Sequence, residues 1–181
     1  MKFKFSKNSI NHWAQKYEDR YASDDKGNED RLKNLLIRQR YLTKKNLYNI
    51  LNWKSPRIRN YAKKNASSII TKITQGSFAA EDERNRIESL LGQKGGLKGV
   101  GYPVASTILH FAFPDKYPIM DFRVIRSLGI KRPSSYKFDF WENYYKTIRG
   151  LSKKRRLSIR VVEKALWQFD KEQYSRFNKC D

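Results

Sequence analysis

Apolar residues recur at the spacing of a helix face along most of the chain, and no long alternation of apolar and polar residues predicts a β-strand. In the first such segment, Ile10, Trp13, Ala14, Tyr17 and Tyr21 fall on one face of an amphipathic helix. The same spacing predicts helices over residues 9–22, 29–40, 44–53, 65–75, 81–91, 103–113, 138–149 and 158–173, and a further helix that begins at Asp121. The pattern therefore predicts an all-α fold.

Turn-forming residues separate the predicted helices. Residues 23–28 predict a turn, and residues 76–77 predict a break between two helices. Thr43 is placed to cap the helix over 44–53, because a Thr side chain accepts a hydrogen bond from the first turn. The four cations at 153–156 predict a loop between two helices, which is either solvated or in contact with phosphate.

The chain is strongly basic. Its 181 residues include 39 Lys and Arg against 18 Asp and Glu, a formal net charge of +21, and the excess extends from Lys2 to Lys179. This charge favours a polyanion as partner, with an affinity that falls steeply as salt rises. Lysines that only solvate the surface, or a genome that favours Lys codons, are alternatives that contribute without accounting for +21 alone. No repeat or low-complexity segment divides the chain, so a single domain over residues 1–181 is predicted.

Several classes of protein are excluded by composition. With Cys180 as its one cysteine, the chain cannot form an internal disulfide or a cysteine-ligated zinc or iron–sulfur site. Two histidines, His12 and His110, make a multi-histidine metal site unexpected. The longest apolar stretch, residues 104–113, is shorter than the ~20 residues of a membrane span, and no signal peptide is recognisable. We expect a cytoplasmic monomer, associated with the nucleoid if the source is prokaryotic.

Aromatic residues are plentiful, with 4 Trp, 11 Tyr and 10 Phe, and most are expected in the core. The segment WKSPR at residues 53–57 places an indole ring beside two cations and a proline that interrupts the helix. This segment is either a helix end packed by one Trp or a loop that faces DNA. In the second case Trp53, Lys54 and Arg57 are the candidate contacts.

The run LKGVG at residues 97–101, followed by Pro103 and an apolar helix, predicts a hairpin between two helices. Gly99 and Gly101 leave room for close approach of the main chain to a ligand and permit positive φ. The N–H groups after Gly101 then point outward at the positive end of the helix dipole, an arrangement suited to a DNA phosphate. Taken alone, such a sequence is often only a tight turn.

Asp121 lies 18 residues beyond Pro103, at the end of the phrase PIMD. This distance is long enough to complete the apolar helix and to return a carboxylate to the hairpin end. An Asp at the start of a helix is most often a cap. A phosphate-binding turn and one returning acid, in a basic chain, nevertheless indicate chemistry on DNA.

Together these segments resemble the helix-hairpin-helix DNA glycosylase superfamily. The resemblance is carried by LKGVGYPVA at residues 97–105, FAF at 111–113 and PIMD at 118–121, with Arg126 five residues further on. The usual phrase of the family is Leu-Pro-Gly-Val-Gly, a variable pair, Ala, an apolar helix and then Val-Asp-Thr-His. The specific resemblance covers residues 81–129, about a quarter of the chain.

The resemblance implies a two-lobed helical bundle with the helix-hairpin-helix core over about 81–129, the flanking helices forming the second lobe. A base flipped out of the duplex would enter the cleft between the lobes. Asp121 would be the catalytic aspartate, because a carboxylate stabilises positive charge on the deoxyribose as the N-glycosidic bond breaks, or helps to activate water.

The resemblance implies that Gly99 and Gly101 hold a phosphate. Together with the WKSPR segment, the residues expected to contact DNA are Gly99, Val100, Gly101, Tyr102, Lys98, Trp53, Lys54, Arg57, Arg123 and Arg126. An alkali ion, Na⁺ or K⁺, would be held by the main-chain carbonyls of Gly95, Leu97 and Val100. No other cofactor is expected.

The chain departs from the family at three points. Pro103 occupies the position of the Schiff-base lysine of bifunctional members, so lysine-dependent strand cleavage is not expected. Lys98 is close enough in sequence to replace that lysine, and we give this alternative little weight. The four-cysteine cluster of endonuclease III is absent, since the chain has only Cys180. Phe122 and Arg123 replace the usual Thr-His after the Asp.

These observations favour a monofunctional DNA glycosylase that flips a damaged or modified base out of duplex DNA and hydrolyses its N-glycosidic bond with Asp121. The alternative is a non-catalytic helix-hairpin-helix protein that recognises bent, damaged or branched DNA. A third class is an RNA-binding or ribosome-associated protein. The sequence does not identify the base that is released. Candidates are oxidised or alkylated purines, deaminated bases and hypermodified bases of viral DNA, so both DNA repair and antiviral defence remain alternatives.

Overall fold

The structure, a computed structural model, describes residues 3, 5–21 and 24–177, and the side chains of these except at 24–26 and 174–177. Cys180, Lys2 and Lys179 lie outside the described residues. The fold is all-α, as the apolar spacing predicts: 73% is helical, 1% is strand and there is no sheet in the described part of the chain. The α-helices there are α1 (Lys7–Tyr21), α2 (Asp24–Gln39), α3 (Lys44–Lys54), α4 (Ser67–Ala79), α5 (Glu83–Glu88), α6 (Tyr102–Ala112), α7 (Phe122–Ser127), α8 (Phe138–Arg155) and α9 (Ile159–Phe177).

Two 3₁₀ helices connect these elements. The long one, Pro56–Lys64, directly follows α3, because Pro56 cannot continue the hydrogen bonding of that helix. The short one, Gly92–Lys94, precedes the glycine hairpin. The cap predicted at Thr43 is confirmed, since its side chain accepts a hydrogen bond from the Asn46 N–H.

Helix α6 is the centre of the core. All of its residues except Pro103 are buried, and α2, α3 and α5 pack against it. Helices α1 and α9 pack extensively on each other, with the Trp13 and Phe169 rings in edge contact at 5.3 Å. Thus α6, the helix that follows the glycine hairpin, is packed on several sides, and these contacts fix the position of its first turn.

Three predicted breaks are wrong in part, because packing overrides local preference. Residues 24–28 belong to α2, since the residue types that favour turns also favour helix starts. Residues 76–77 lie inside α4, where the Ser77 hydroxyl donates to the Arg86 carbonyl and outweighs the ~1 kcal/mol cost of a helical glycine. The run 153–156 is no loop. Lys153, Lys154 and Arg155 form the last turn of α8, where cations favour the helix dipole, and Arg156 ends the helix in a left-handed conformation.

Helix α7 is joined to α9 by two arginines. Arg126 makes a two-pronged ion pair with Asp170, at 2.5 and 2.6 Å, and Arg123 donates to the same carboxylate at 3.2 Å. Asp170 is 4% exposed, so these bonds are shielded from water. Arg123 and Arg126, predicted as DNA contacts, therefore have a structural role, and their contact with DNA stays a prediction.

Candidate functional site

The glycine hairpin is closed by main-chain hydrogen bonds and packs on the long 3₁₀ helix. The Gly92 N–H donates to the Val100 carbonyl at 2.9 Å, and the Leu97 N–H donates to the Leu90 carbonyl at 3.1 Å. Gly99 has a φ of +83°, and a Cβ atom there would overlap the ring of Tyr61. Glycine is thus required at this position by conformation and by space.

Asn65 fixes the hairpin from the other side. Its Oδ1 accepts a hydrogen bond from the Lys98 N–H at 2.8 Å, and its Nδ2 donates to the carbonyls of Lys98 and Tyr61 at 3.1 and 2.9 Å. Asn65 is 5% exposed. The main chain of Lys98, directly before Gly99, is therefore held by two hydrogen bonds with one buried amide, and a third hydrogen bond ties that amide to the long 3₁₀ helix.

The turn into α6 presents N–H groups to solvent. Among the described residues, the main-chain N–H groups of Gly99, Gly101 and Tyr102 have no hydrogen-bond partner. Gly101 is the N-cap of α6 with a φ of −107°, so only Gly99 uses the positive φ that glycine permits. At Gly101 the absence of a side chain leaves the N–H groups open. The arrangement is suited to an anion.

Basic side chains surround this turn. A shallow groove of about 540 Å³ lies over the hairpin, with Lys64, Lys98 and Gly101 in its wall. The long 3₁₀ helix presents further exposed cations, Arg57 and Lys63. We call this surface the hairpin face; it comprises residues 97–101, with Lys98 among them, Lys64 and its sequence neighbour Lys63.

Tyr102 and Val100, both predicted to contact DNA, have buried side chains. Tyr102 is 3% exposed and its hydroxyl donates to Glu88 at 3.0 Å; burial and this carboxylate raise the pKa of the phenol well above its usual range. Val100 is also 3% exposed. Neither side chain is therefore exposed for contact with DNA.

The segment after α6 runs back along that helix toward the hairpin. The Tyr117 carbonyl accepts a hydrogen bond from His110 Nδ1 at 2.8 Å, and the Met120 N–H donates to the Ser106 hydroxyl at 2.8 Å. Burial is the main cause that lowers the pKa of His110 to about 3, so its ring is neutral. The next residue, Asp121, consequently lies near the first turns of α6, as the spacing from Pro103 predicts.

Asp121 has two hydrogen bonds. It is the N-cap of α7, and its Oδ1 accepts from the Arg123 N–H at 3.0 Å. Its Oδ2 accepts from Lys54 Nζ at 2.8 Å, and the same ammonium donates to the Met120 carbonyl at 3.0 Å. The side chains of Lys54 and Asp121 are 12% and 20% exposed. The amine closest to the candidate acid is thus that of Lys54, from a helix distant in sequence, and not that of Lys98.

Asp121 and Lys54 lie in the wall of a partly open cavity of about 200 Å³. Aromatic rings supply much of the remaining surface, and helices α1, α3 and α9 contribute them. The cavity is lined by Tyr17, Tyr21, Trp53, Lys54, Ile119, Asp121, Val124, Arg160, Glu163 and Trp167. We call it the aromatic cavity.

Glu163 is the most unusual residue in this wall. It is 1% exposed, and neither carboxyl oxygen has an aligned hydrogen-bond partner among the described residues; the Tyr144 hydroxyl lies nearby but donates to the Ile119 carbonyl. Burial raises the pKa of Glu163 to about 8, against the opposing charges of Arg160 and Lys54 and the nearby Ile119 amide, which is not aligned as a hydrogen bond. Near neutral pH the carboxyl group is therefore largely protonated.

Arg160 is buried beside Glu163 but already has a partner. It makes a two-pronged ion pair with Glu29, at 2.9 and 3.0 Å, and Lys33 also donates to that carboxylate. Although burial opposes ionisation, Arg160 and Lys33 together hold the pKa of Glu29 well below its usual range. Arg160 thus satisfies Glu29 and leaves Glu163 unpaired.

The carbonyls predicted to bind an alkali ion are partly used within the hairpin. Leu97 O accepts the Val100 N–H at 3.0 Å, and Val100 O accepts the Gly92 N–H. Each carbonyl retains a second lone pair, so the ion stays a prediction. Among the described residues no group of three or more acidic, His or Cys side chains is arranged to hold a metal.

The structure thus separates the predicted site residues into groups. Trp53, Lys54 and Asp121 meet in the aromatic cavity, and Lys98, Gly99 and Gly101 meet at the hairpin face. Sequence reasoning missed Asn65, Tyr61 and Glu163. Asn65 and Tyr61 contact a hairpin far away in sequence, and Glu163 is buried by elements far away in sequence. The one available indication was that the mostly apolar helix over 158–173 contains the acid Glu163.

Comparison of the chain with family models, with curated proteins and with solved structures gave no match. No helix in the described part of the chain has the length and apolar character needed to cross a membrane.

Proposed function

We propose that this protein is a monofunctional DNA glycosylase with Asp121 as its catalytic acid. The observation that supports this most is the position of Asp121, in the wall of the partly open aromatic cavity and near the first turns of the helix that follows the hairpin. In such an enzyme a flipped nucleotide places its base in the cavity and its sugar at the carboxylate.

Asp121 would act on the sugar. As the bond between C1′ and the base nitrogen breaks, its electron pair moves to the base and positive charge develops on the deoxyribose. A carboxylate fixed by two hydrogen bonds needs little rearrangement to stabilise this charge, and the effect is strong where water is excluded. A water molecule then adds to C1′, which completes hydrolysis.

The hairpin face would hold the DNA strand. We propose that residues 97–105 and the helix before them act as a helix-hairpin-helix motif, with the open N–H groups of Gly99, Gly101 and Tyr102 on a phosphate. Exposed cations on the long 3₁₀ helix would contact neighbouring phosphates. An alkali ion at Gly95, Leu97 and Val100 would only reinforce this contact.

The absence of lyase activity is part of the proposal. Pro103 has no amine, and the amine nearest to Asp121, Lys54 Nζ, is occupied by hydrogen bonds to that carboxylate and to the Met120 carbonyl. An amine held in this way is not placed to attack C1′. We therefore expect an abasic site as product, without a Schiff base or strand cleavage.

A non-catalytic DNA-binding protein is the second candidate, and one observation favours it. Asp121 caps α7 and pairs with Lys54, and these two contacts give the acid a structural reason to exist. Such a protein would use the hairpin face for bent, damaged or branched DNA and would have no use for the aromatic cavity. The two candidates therefore differ in whether a base is released.

The test is mass spectrometry of bases released from a broad pool of damaged and modified duplex DNA. Wild type is compared with Asp121→Asn, in which the amide can still cap α7. Asp139→Asn is the matched control, because the Asp139 side chain is 92% exposed on α8. We expect one base to be released by wild type and control, and at least about a thousandfold more slowly by Asp121→Asn, the size typical of a lost electrostatic contact to a transition state.

Each other outcome identifies a different protein. Release at the wild-type rate by Asp121→Asn would refute the catalytic role of the acid. Tight duplex binding that depends on the hairpin, without release of any base, would support the second candidate. Affinity for single-stranded RNA but not for duplex DNA would indicate the RNA-binding class.

A further inference from the structure

The aromatic cavity contains a polar group that the proposed function does not use. Both oxygens of Glu163 lie in its wall, buried and without a hydrogen-bond partner among the described residues. A buried polar group without a partner is costly, and native structures rarely retain one unless something else satisfies it. A ligand that enters the cavity can supply the missing partner.

Burial and the neighbouring charges determine the protonation state in which Glu163 would contact a ligand. Burial dominates over the nearby cations and keeps the carboxyl largely protonated near neutral pH, as its pKa of about 8 implies. The groups around it come from every neighbouring element: Arg160 on α9, Lys54 on α3, Glu29 on α2, Tyr144 on α8, Tyr17 and Tyr21 on α1, and Asp121 before α7. A protonated carboxyl offers one donor and one acceptor side by side.

The ring faces of the cavity already carry cations from the protein itself. Lys171 Nζ lies 4.8 Å from the centre of the Tyr21 ring and 4.9 Å from that of Trp167, and Arg160 lies 5.5 Å from that of Trp53. Lys164 lies 5.3 Å from the centre of the Tyr17 ring. The attraction of these π-systems for positive charge is therefore used within the fold.

We propose that the aromatic cavity selects uncharged bases, and that Glu163 recognises them by donating a hydrogen bond to a base acceptor while accepting one from a neighbouring base N–H. Cationic N-alkylated bases are rejected, because they would meet the cations on the rings and the uncharged acid. This inference rests on the proposed function, since it names the class of base that the glycosylase takes.

The same hydrogen bond fits the departure of an uncharged base. When the bond from C1′ breaks, its electron pair leaves with the base, and an uncharged base becomes negative as it departs. A donor in the cavity then binds more strongly in the transition state than before it. A cationic base leaves as a neutral molecule and has no need of this donor.

The test is nucleoside binding, followed by quenching of the tryptophan fluorescence, because Trp53 and Trp167 line the cavity. The probes are the uncharged adenosine, guanosine, cytidine and uridine, and the cationic 1-methyladenosine and 7-methylguanosine at mildly acid pH. We expect at least one uncharged nucleoside to bind, and its cationic counterpart or both cations to bind at least about tenfold more weakly.

Two substitutions at Glu163 separate recognition from folding. Glu163→Gln keeps a donor and an acceptor without titrating, so it retains binding and removes the loss of affinity that wild type shows as pH rises through about 8. Glu163→Leu removes both groups and lowers affinity about tenfold or more. Glu142→Gln is the matched control, because Glu142 is a surface residue paired with Lys146 on α8.

The outcomes also distinguish this inference from the proposed function. The inference would be overturned if the cationic nucleosides bind more tightly than the uncharged ones, or if no nucleoside binds. It would also be overturned if Glu163→Leu binds as wild type does with an unchanged melting temperature, or if Glu163→Gln loses affinity at alkaline pH as wild type does. Nucleoside binding is measured without any base release, so it is independent of whether the protein is a glycosylase. Selective nucleoside binding without base release by wild type would leave the cavity as proposed and refute the glycosylase.

Discussion

The hairpin face and the aromatic cavity are built in opposite ways. The hairpin face uses main-chain N–H groups, a glycine that no other residue can replace and exposed cations. The aromatic cavity uses side chains from α1, α3 and α9, is partly open, and contains the unpaired acid Glu163. The first is suited to any nucleic-acid backbone, and the second to one kind of flat ligand. Affinity and selectivity are thus expected to depend on different residues.

The largest effect on DNA binding should come from salt acting on the hairpin face. If about six phosphates are neutralised, duplex affinity falls on the order of a thousandfold between low and moderate salt. Replacing Lys63 and Lys64 by Gln should lower the slope of log affinity against log salt by about two, whereas Lys146→Gln, exposed on α8, should leave it unchanged. Fluorescence anisotropy with labelled duplex measures both slopes. A flat dependence would mean that the net charge of +21 is mostly elsewhere.

Gly99→Ala should disrupt the hairpin face without altering the cavity. The new Cβ meets the Tyr61 ring, and φ stays in the left-handed region, so the turn and its open N–H groups must shift. We expect duplex affinity to fall about a hundredfold, the cost of a few kcal/mol of displaced contacts. Gly150→Ala, in the middle of α8 with open space around it, is the control and should be neutral or slightly stabilising. Nucleoside binding should be unchanged in both variants, and its loss in Gly99→Ala would show that the two regions are coupled.

Glu163→Gln tests the cavity through stability. Because burial raises the pKa of Glu163 to about 8 from 4.5, its contribution to stability is present below pH 4.5 and is lost as pH rises through about 8. The variant lacks this titration, so at alkaline pH it should gain up to about 5 kcal/mol over wild type relative to acid pH, at roughly 1.4 kcal/mol for each pKa unit between 4.5 and about 8. Urea unfolding at several pH values measures the difference. The pKa of His110 is lowered from 6.5 to about 3, so its contribution to the free energy of unfolding is lost as pH falls below 6.5. Both proteins contain His110, so this loss cancels in the comparison. A constant difference at every pH would mean that Glu163 is ionised in the fold.

Lys54→Met affects the boundary between cavity and sugar. It leaves the Asp121 carboxylate without its ion-pair partner, in a wall where both side chains are at most one-fifth exposed, and should lower the free energy of unfolding by about 1 kcal/mol. Base release should slow while nucleoside binding persists. Borohydride reduction during turnover should trap no protein–DNA adduct with wild type. An adduct that is lost in Lys54→Met would identify Lys54 as a Schiff-base nucleophile.

The two regions also differ in how far the sequence alone predicts them. The hairpin and the returning Asp121 are local, since glycine spacing and one helix length determine them. The aromatic cavity depends on pairs distant in sequence, such as Lys54 with Asp121 and Arg160 with Glu29. No spacing rule connects such partners. The Lys54 ion pair and the unpaired Glu163 therefore could not be predicted from the sequence and are apparent only in the folded structure. Arg123 is a related case. Its position beside Asp121 in the sequence favours DNA contact, but its ion pair with the buried Asp170 is a contact distant in sequence that no local pattern predicts.

The return segment along α6 sets a length. Met120 is bonded to Ser106, the fifth residue of α6, about 6 Å along the helix axis from Tyr102 at 1.5 Å per residue. The spacing between a bound phosphate and Asp121 is therefore set by about one turn of a buried helix rather than by a flexible loop. If the protein acts as proposed, this rigid spacing would decide which sugar along a bound strand faces the acid before the base enters the cavity. The position along the strand would then be selected first, and the identity of the base second.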